Sequence, residues 1–167
     1  MIEQFLSGVT TPIILYLLSC FLLVFVLGLL RNFFLIFSML SLPATFAHEL
    51  SHWIAAFLIN AQPTKLSIIP QRNGRTYVLG HVLCRNISWY NAWLVGFSPL
   101  SLLSAAYFMA VWRTPFSFSA LDVGLFYLTA QLLMGSIPSG QDVKIVFQHS
   151  MVLIIILGFF MWRSFST

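Results

Sequence analysis

Five consecutive residues in a hydrophobic stretch have the types and spacing of a metal-dependent hydrolase site. Residues 48–52 read His-Glu-Leu-Ser-His, the H-E-x-x-H pattern in which two histidines bind one zinc ion. On an α-helix, residues four apart share a face, so His48 and His52 can present both imidazoles to one metal. Glu49 lies beside that face and can act as general base. The alternative is a polar cluster that holds helices together without metal.

A third metal ligand can be sought by elimination, because catalytic zinc usually takes three protein ligands. Zinc proteases that use a distant Glu would have only Glu3, near the N-terminus. The metzincin class requires Gly and His where this chain has Ala55 and Leu58. The remaining candidates are Asp142, Asp122, His81, His149 and Cys84.

The elements that must position these residues are predicted to be membrane helices. The chain is 59% hydrophobic and 7% charged, whereas a soluble domain is about 25% charged. We therefore expect a single all-α, polytopic membrane domain over residues 1–167. Five apolar stretches are long enough to cross a bilayer: 12–30, 33–59, 92–112, 119–137 and 143–162. Pro43 predicts a kink in the second, and Asn73-Gly74 predicts a β-hairpin over 65–84 between the second and third.

Alternation of these spans favours Asp142 as the third ligand. The second span and the fourth, which ends near Pro138, finish on the same side of the membrane, so Asp142 and the two histidines share a depth. Asp142 also resembles a helix N-cap, a role that does not exclude ligation. Asp122 lies at the opposite end of the fourth span and is expected to cap a helix or pair there. His149, two turns beyond Asp142, and His81, on the hairpin, remain weaker alternatives.

Three segments in order resemble the site-2 protease family of intramembrane zinc metalloproteases. They are Ala-His-Glu-Leu-Ser-His at 47–52, Gly-Phe-Ser-Pro-Leu at 96–100 and Ser-Ile-Pro-Ser-Gly-Gln-Asp at 136–142. The resemblance spans roughly residues 40–150. It implies one zinc ion on His48, His52 and Asp142, with Glu49 catalytic. It also implies that the substrate contacts three further residues, Ser98, Ser136 and Pro138. Val143 replaces the Gly that usually follows the aspartate, and Ser136 replaces an Asn.

The expected function is hydrolysis of a peptide bond in a membrane-spanning substrate, by zinc-activated water with a Glu general base. Two alternatives stay open: an inactive site-2-protease-like scaffold, and a small metal or proton transport subunit. The expected partners are a substrate helix and the lipid bilayer, with a regulatory membrane protein or a second copy left open. The eight Lys and Arg residues are scattered, so nucleic acid is not expected.

Membrane orientation follows from where the basic residues fall. Five lie on the side where the second span ends and three on the other: Lys65, Arg72, Arg75, Arg85 and Lys144 against Arg31, Arg113 and Arg163. An excess of Lys and Arg marks the cytoplasmic side. We expect a multi-pass protein of the bacterial cytoplasmic membrane, and this excess predicts that its active site lies nearer the cytoplasm.

Overall fold

The fold is mostly helical, with a small antiparallel β segment, as predicted. The computed structural model describes residues 11–73, 76–113 and 119–165. Within these residues the helices are α1 (Thr11–Leu29), α2 (Phe34–Leu40), α3 (Leu42–Leu58), α4 (Ala92–Gly96), α5 (Ser101–Arg113), α6 (Leu121–Gly135) and α7 (Gly140–Phe165). The strands are β1 (Pro63–Ser67), β2 (Gln71–Asn73), β3 (Thr76–Val78) and β4 (His81–Cys84).

Two of the predicted continuous spans are broken. The second consists of α2 and α3, which meet at Ser41 with a bend of 61°. Pro43 lies in the first turn of α3, where its missing N–H has no helical partner to lose. The third span is divided into α4, a 3₁₀ turn at Ser98–Leu100 that contains Pro99, and α5. Prolines therefore stand at or beside both breaks, and the first break agrees with the kink predicted from Pro43.

The β segment is two short antiparallel ladders instead of one long hairpin. β1 pairs with β4, with Ser67 opposite His81. β2 pairs with β3, with Asn73 opposite Thr76, so the strands pair on both sides of the predicted Asn-Gly turn. Gly74 itself lies outside the described residues. Pro70 stands between the ladders, where a strand would need an N–H that proline lacks.

Two segments of the described chain are long and apolar enough to cross a membrane. They are Pro12–Asn32 and Leu121–His149, and α2 with α3 makes a third if the bent pair counts as one span. The five predicted crossings therefore remain a prediction. Large apolar side chains point outward on α1, α2 and α7, among them Phe25, Leu35 and Phe160. Exposed apolar surface of this kind is typical of a membrane or protein interaction site.

Helix α6 lies at the centre of the helix packing. It packs against α1, α3 and α5, and small side chains such as Ala106 and Ala130 are fully buried in this core. Small residues allow helix backbones to approach closely. The Gln131 side chain of α6 accepts a hydrogen bond from the N–H of Ala44 at 3.2 Å. That N–H belongs to the first turn of α3 and has no acceptor within its own helix, so α6 fixes the start of the helix that carries the H-E-x-x-H residues.

Candidate metal centre

Two histidines from α3 and one aspartate from α7 converge on a single point. The Nε2 atoms of His48 and His52 are 3.1 Å apart. Asp142 lies between them, with Oδ2 3.3 Å from Nε2 of His48 and Oδ1 3.2 Å from Nε2 of His52. One ligand atom from each side chain lies within 4.8 Å of the others. The structure thus brings together three of the residues named from the sequence, across 90 positions of chain.

The opposite nitrogen of each imidazole contacts a main-chain carbonyl. Nδ1 of His48 is 2.7 Å from the oxygen of Gly135, and Nδ1 of His52 is 2.8 Å from the oxygen of Val95. A carbonyl oxygen can only accept, so each Nδ1 carries the hydrogen and donates it. In a neutral imidazole the lone pair then resides on Nε2. Partners of this kind fix the tautomer and ring orientation of metal-binding histidines.

The donor set fits a cation. Two Nε2 lone pairs and a carboxylate face one another at about hydrogen-bond distance, and they repel unless a proton or a metal ion lies between them. Zinc bonds to nitrogen and oxygen are about 2.0–2.2 Å, and tetrahedral ligands at that length are about 3.3 Å apart. The separation of 3.1 Å between the two Nε2 atoms is close to that value, and each Nε2 has one oxygen of Asp142 at 3.2 or 3.3 Å, a different oxygen for each histidine. A shared extra proton is the competing explanation.

The start of α7 holds Asp142 in place. Its Oδ2 accepts the N–H of Ser139 at 2.6 Å, and its own N–H donates to the Ser139 hydroxyl oxygen at 3.2 Å. This reciprocal pair is a capping box, with Ser139 as the N-cap and the acidic residue three positions later. The N-cap is therefore Ser139 and not Asp142, the alternative role considered from the sequence, because α7 begins at Gly140. The carboxylate meets the histidines and also completes the cap.

Close backbone contact allows α3 and α6 to share the site. A Cβ added at Gly135 would lie 2.7 Å from the carbonyl oxygen of Ala44 and 3.3 Å from Cδ1 of Leu102. Real Cβ atoms essentially never come within 3.0 Å of another atom. A larger residue at position 135 would have to displace this contact, which lies beside the bond from Nδ1 of His48 to the carbonyl oxygen of Gly135.

Glu49 is buried beside the three converging residues, with 6% of its surface exposed. It directly follows His48 on α3 and is three residues before His52. Within the described part of the chain, no group donates a hydrogen bond to its carboxylate. Its side chain lies against Gly80, where an added Cβ would be 2.7 Å from Cγ of Glu49. A free carboxylate at this point can accept a proton.

The other candidates for the third ligand lie elsewhere. Asp122 pairs with Arg113 and accepts the N–H of Ser119, in agreement with the expected capping or pairing role. His81 lies on β4, and His149 is exposed on α7, where Nδ1 is 3.1 Å from the oxygen of Ile145. Cys84 packs near Ala56 and Val95, and burial raises the pKa of its thiol, which disfavours the thiolate that binds metal.

The residues expected to contact substrate lie around the centre. The Ser98 hydroxyl donates to the oxygen of Val95 at 2.8 Å and is 3.2 Å from Nδ1 of His52. It therefore contacts the imidazole at the nitrogen opposite the one that faces His48. Ser136 is the C-cap that follows α6, and its hydroxyl donates to the oxygen of Leu133 at 2.7 Å. Pro138 is half-buried in the turn between α6 and α7. Substrate contact by these residues remains a prediction.

Several contributors to the site were missed from the sequence. The carbonyl groups of Val95 and Gly135 carry no side-chain signal. The approach of Gly80 to Glu49 depends on how the β segment folds back. Ser139 did leave a signal, because Ser-x-x-Asp before an apolar run is the pattern of a capping box.

Comparison of the chain with protein-family models, with curated proteins and with solved structures found no significant match.

Proposed function

We propose that this protein is an intramembrane zinc metalloprotease that hydrolyses a peptide bond of a membrane-spanning substrate. The observation that carries the proposal is the convergence of His48, His52 and Asp142, with both imidazoles oriented by main-chain carbonyls and Glu49 next to His48 on α3. Three protein ligands with an open fourth position are typical of catalytic zinc sites. The apolar surroundings of the site support a substrate that is itself a membrane segment.

Each side chain has a defined part in this reaction. Zinc, when bound, activates a water molecule and polarises the scissile carbonyl. His48, His52 and Asp142 hold the ion, and the two main-chain carbonyls fix the imidazole rings. Glu49 removes the proton from the attacking water and later delivers it to the nitrogen of the leaving amine. That transfer needs a carboxylate without a competing donor, as Glu49 has here.

The substrate has to be extended before it can be cut, because helical amides are hydrogen-bonded and shielded. Both ladders are two-stranded, so each strand has one edge without a strand partner among the described residues. Such an edge can bind an extended peptide by strand addition. The pairs β1–β4 and β2–β3 lie directly after α3 in the chain, and both β1 and β4 contact α3. We therefore propose that the β segment holds the unwound substrate.

Metal content tests the ligand set. Purified protein should bind one zinc ion per chain, and His48→Ala and Asp142→Ala should each abolish stoichiometric binding. His149→Ala is the matched control, because it removes an exposed histidine of α7 and should leave the stoichiometry at one. Full zinc occupancy in Asp142→Ala would remove this residue from the site and favour a shared proton as the reason for the cluster.

Cleavage of a reconstituted single-span substrate tests the activity. Glu49→Gln keeps the shape of the side chain against Gly80 but cannot accept the proton, so the cleavage rate should fall at least 10²-fold while zinc stays bound. Wild-type protein that binds zinc and cleaves no substrate would indicate an inactive scaffold. Zinc or proton flux in liposomes without cleavage would indicate a transport subunit. A Glu49→Gln variant as active as wild type would refute the mechanism.

A further inference from the structure

A cavity of about 130 Å³ lies between the α2–α3 bend and the turns that join the strands. Its wall on the helical side includes Leu42 and Thr45, and its wall on the β side includes Ile68, Pro70 and Leu79. A cavity of about 150 Å³ lined by apolar side chains is large enough to bind benzene. The space here therefore accommodates an apolar group of the size of a leucine or phenylalanine side chain.

The lining is apolar in its chemistry, although two hydroxyl groups contribute to it. The Thr45 hydroxyl donates to the oxygen of Ser41 at 3.1 Å, and the Ser38 hydroxyl donates to the oxygen of Leu35 at 3.0 Å. Both donors are used within their own helical segments. Most of the surface that an entering group would contact is therefore apolar, which favours an apolar occupant.

The cavity lies near Glu49, along α3 on one wall and along the β segment on the other. Residues 42, 45 and 49 lie on one face of α3, since positions three and four apart are neighbours on a helix. Thr45 is four residues from Glu49, or about 6 Å along the axis. On the opposite wall, Leu79 immediately precedes Gly80, whose backbone touches the Glu49 side chain. An extended peptide advances about 3.3–3.6 Å per residue, so the cavity is one or two residues away from the position of the general base.

We propose that this cavity is a specificity pocket, which receives an apolar side chain of the polypeptide substrate one or two residues from the bond that is cut. The inference rests on the proposed proteolytic function and adds the substrate class: segments with a leucine- to phenylalanine-sized residue next to the cleavage point. A contribution of one or more buried methylene groups to cleavage is worth about tenfold or more in kcat/KM.

The test uses synthetic single-span peptides in phosphatidylcholine liposomes. Each peptide has a central segment of alanine and glycine, and one position of that segment is occupied by Ala, Leu or Phe. The varied position is moved along the segment from one peptide to the next. Mass spectrometry locates the cut and gives the rates. Wild-type protein should cut one or two residues from the Leu or Phe, at least tenfold faster than in the Ala peptide. Ile68→Trp fills the pocket and should bring that ratio near one. Ile69→Trp is the matched control, because Ile69 is exposed and lies outside the pocket lining.

A second pair of variants changes the pocket in the other direction. Leu79→Ala enlarges it and should shift the preference from Leu towards Phe, whereas Leu83→Ala, on the exposed side of β4, should not. Glu49-dependent cleavage with the same preference in all four variants would overturn the pocket proposal alone and would fit a cavity filled by a lipid chain. Absence of any Glu49-dependent cleavage would overturn the proposed function and this inference together.

Discussion

Gly135→Ala tests whether the contact between α3 and α6 sets the geometry of the metal centre. The added Cβ would lie 2.7 Å from the oxygen of Ala44, whereas ordinary contacts begin at 3.4 Å. The two backbones must therefore separate by up to about 0.7 Å, and the α3 side of that contact carries His48. The bond from Nδ1 of His48 to the oxygen of Gly135, now 2.7 Å, would then approach or exceed the usual upper limit of about 3.2 Å.

The expected loss of zinc affinity follows from the role of that bond. Removing an outer partner of a metal-binding histidine costs about 10–100-fold in affinity, which corresponds to about 1.4–2.7 kcal/mol. Folding stability should fall as well, because overpacking costs about 1–3 kcal/mol. Part of this is offset, since alanine is favoured over glycine in a helix by up to about 1 kcal/mol.

The assay is a zinc titration against a competing chelator, together with thermal unfolding in detergent. Gly124→Ala supplies the matched control, because Gly124 is on the same helix and has nothing within 4 Å of the added Cβ. It should leave the zinc Kd unchanged and the unfolding temperature equal or higher. Equal zinc affinities in Gly135→Ala and Gly124→Ala would refute the argument that backbone contact positions His48.

Two further substitutions test whether zinc binding depends on the N-cap of α7 and on the pair formed by Asp122 and Arg113. Ser139→Ala should lower the free energy of unfolding by about 1 kcal/mol through loss of the N-cap, and it should weaken zinc binding because the N–H of Asp142 loses its hydrogen-bond acceptor. Ser139→Thr should restore the stability and the zinc affinity. Zinc titration and thermal unfolding measure the two effects. Asp122→Asn removes the charge that pairs with Arg113 and should lower the unfolding temperature while the zinc stoichiometry stays at one. Loss of zinc in Asp122→Asn would mean that the pairing extends its influence to the metal centre.

Two properties of the sequence made part of the site predictable. They are the periodicity of the α-helix and the small number of acidic residues. The face shared by His48 and His52 follows from helical periodicity alone. Asp142 is 90 residues further along, yet it was found because the chain has only four acidic residues and because alternating spans limit which of them can reach the histidines. The small number of acidic residues and the predicted order of the spans were therefore enough to select Asp142, although a sequence does not show which residues are in contact.

The rest depended on contacts that leave no trace in residue type. Any residue offers a carbonyl, so Val95 could not be identified as the partner of His52 before α4 was seen to lie beside α3. Pro99 indicates a kink in the third span, but the continuous hydropathy of residues 92–112 gives no sign that the span divides into two helices, α4 and α5. The contact between Gly80 and Glu49 required the path of the β segment, which strand propensity does not specify.

The use of main-chain carbonyls to orient both histidines has a consequence for how the protein tolerates mutation. A side-chain partner can be deleted by a single codon change, but a carbonyl is present whatever residue occupies the position. Substitutions at Val95 would change packing while the acceptor for His52 stays in the chain. The sequence then has to preserve the path of the backbone and not the identity of particular side chains. A lineage could therefore replace many surrounding residues and still keep both imidazoles in the same orientation.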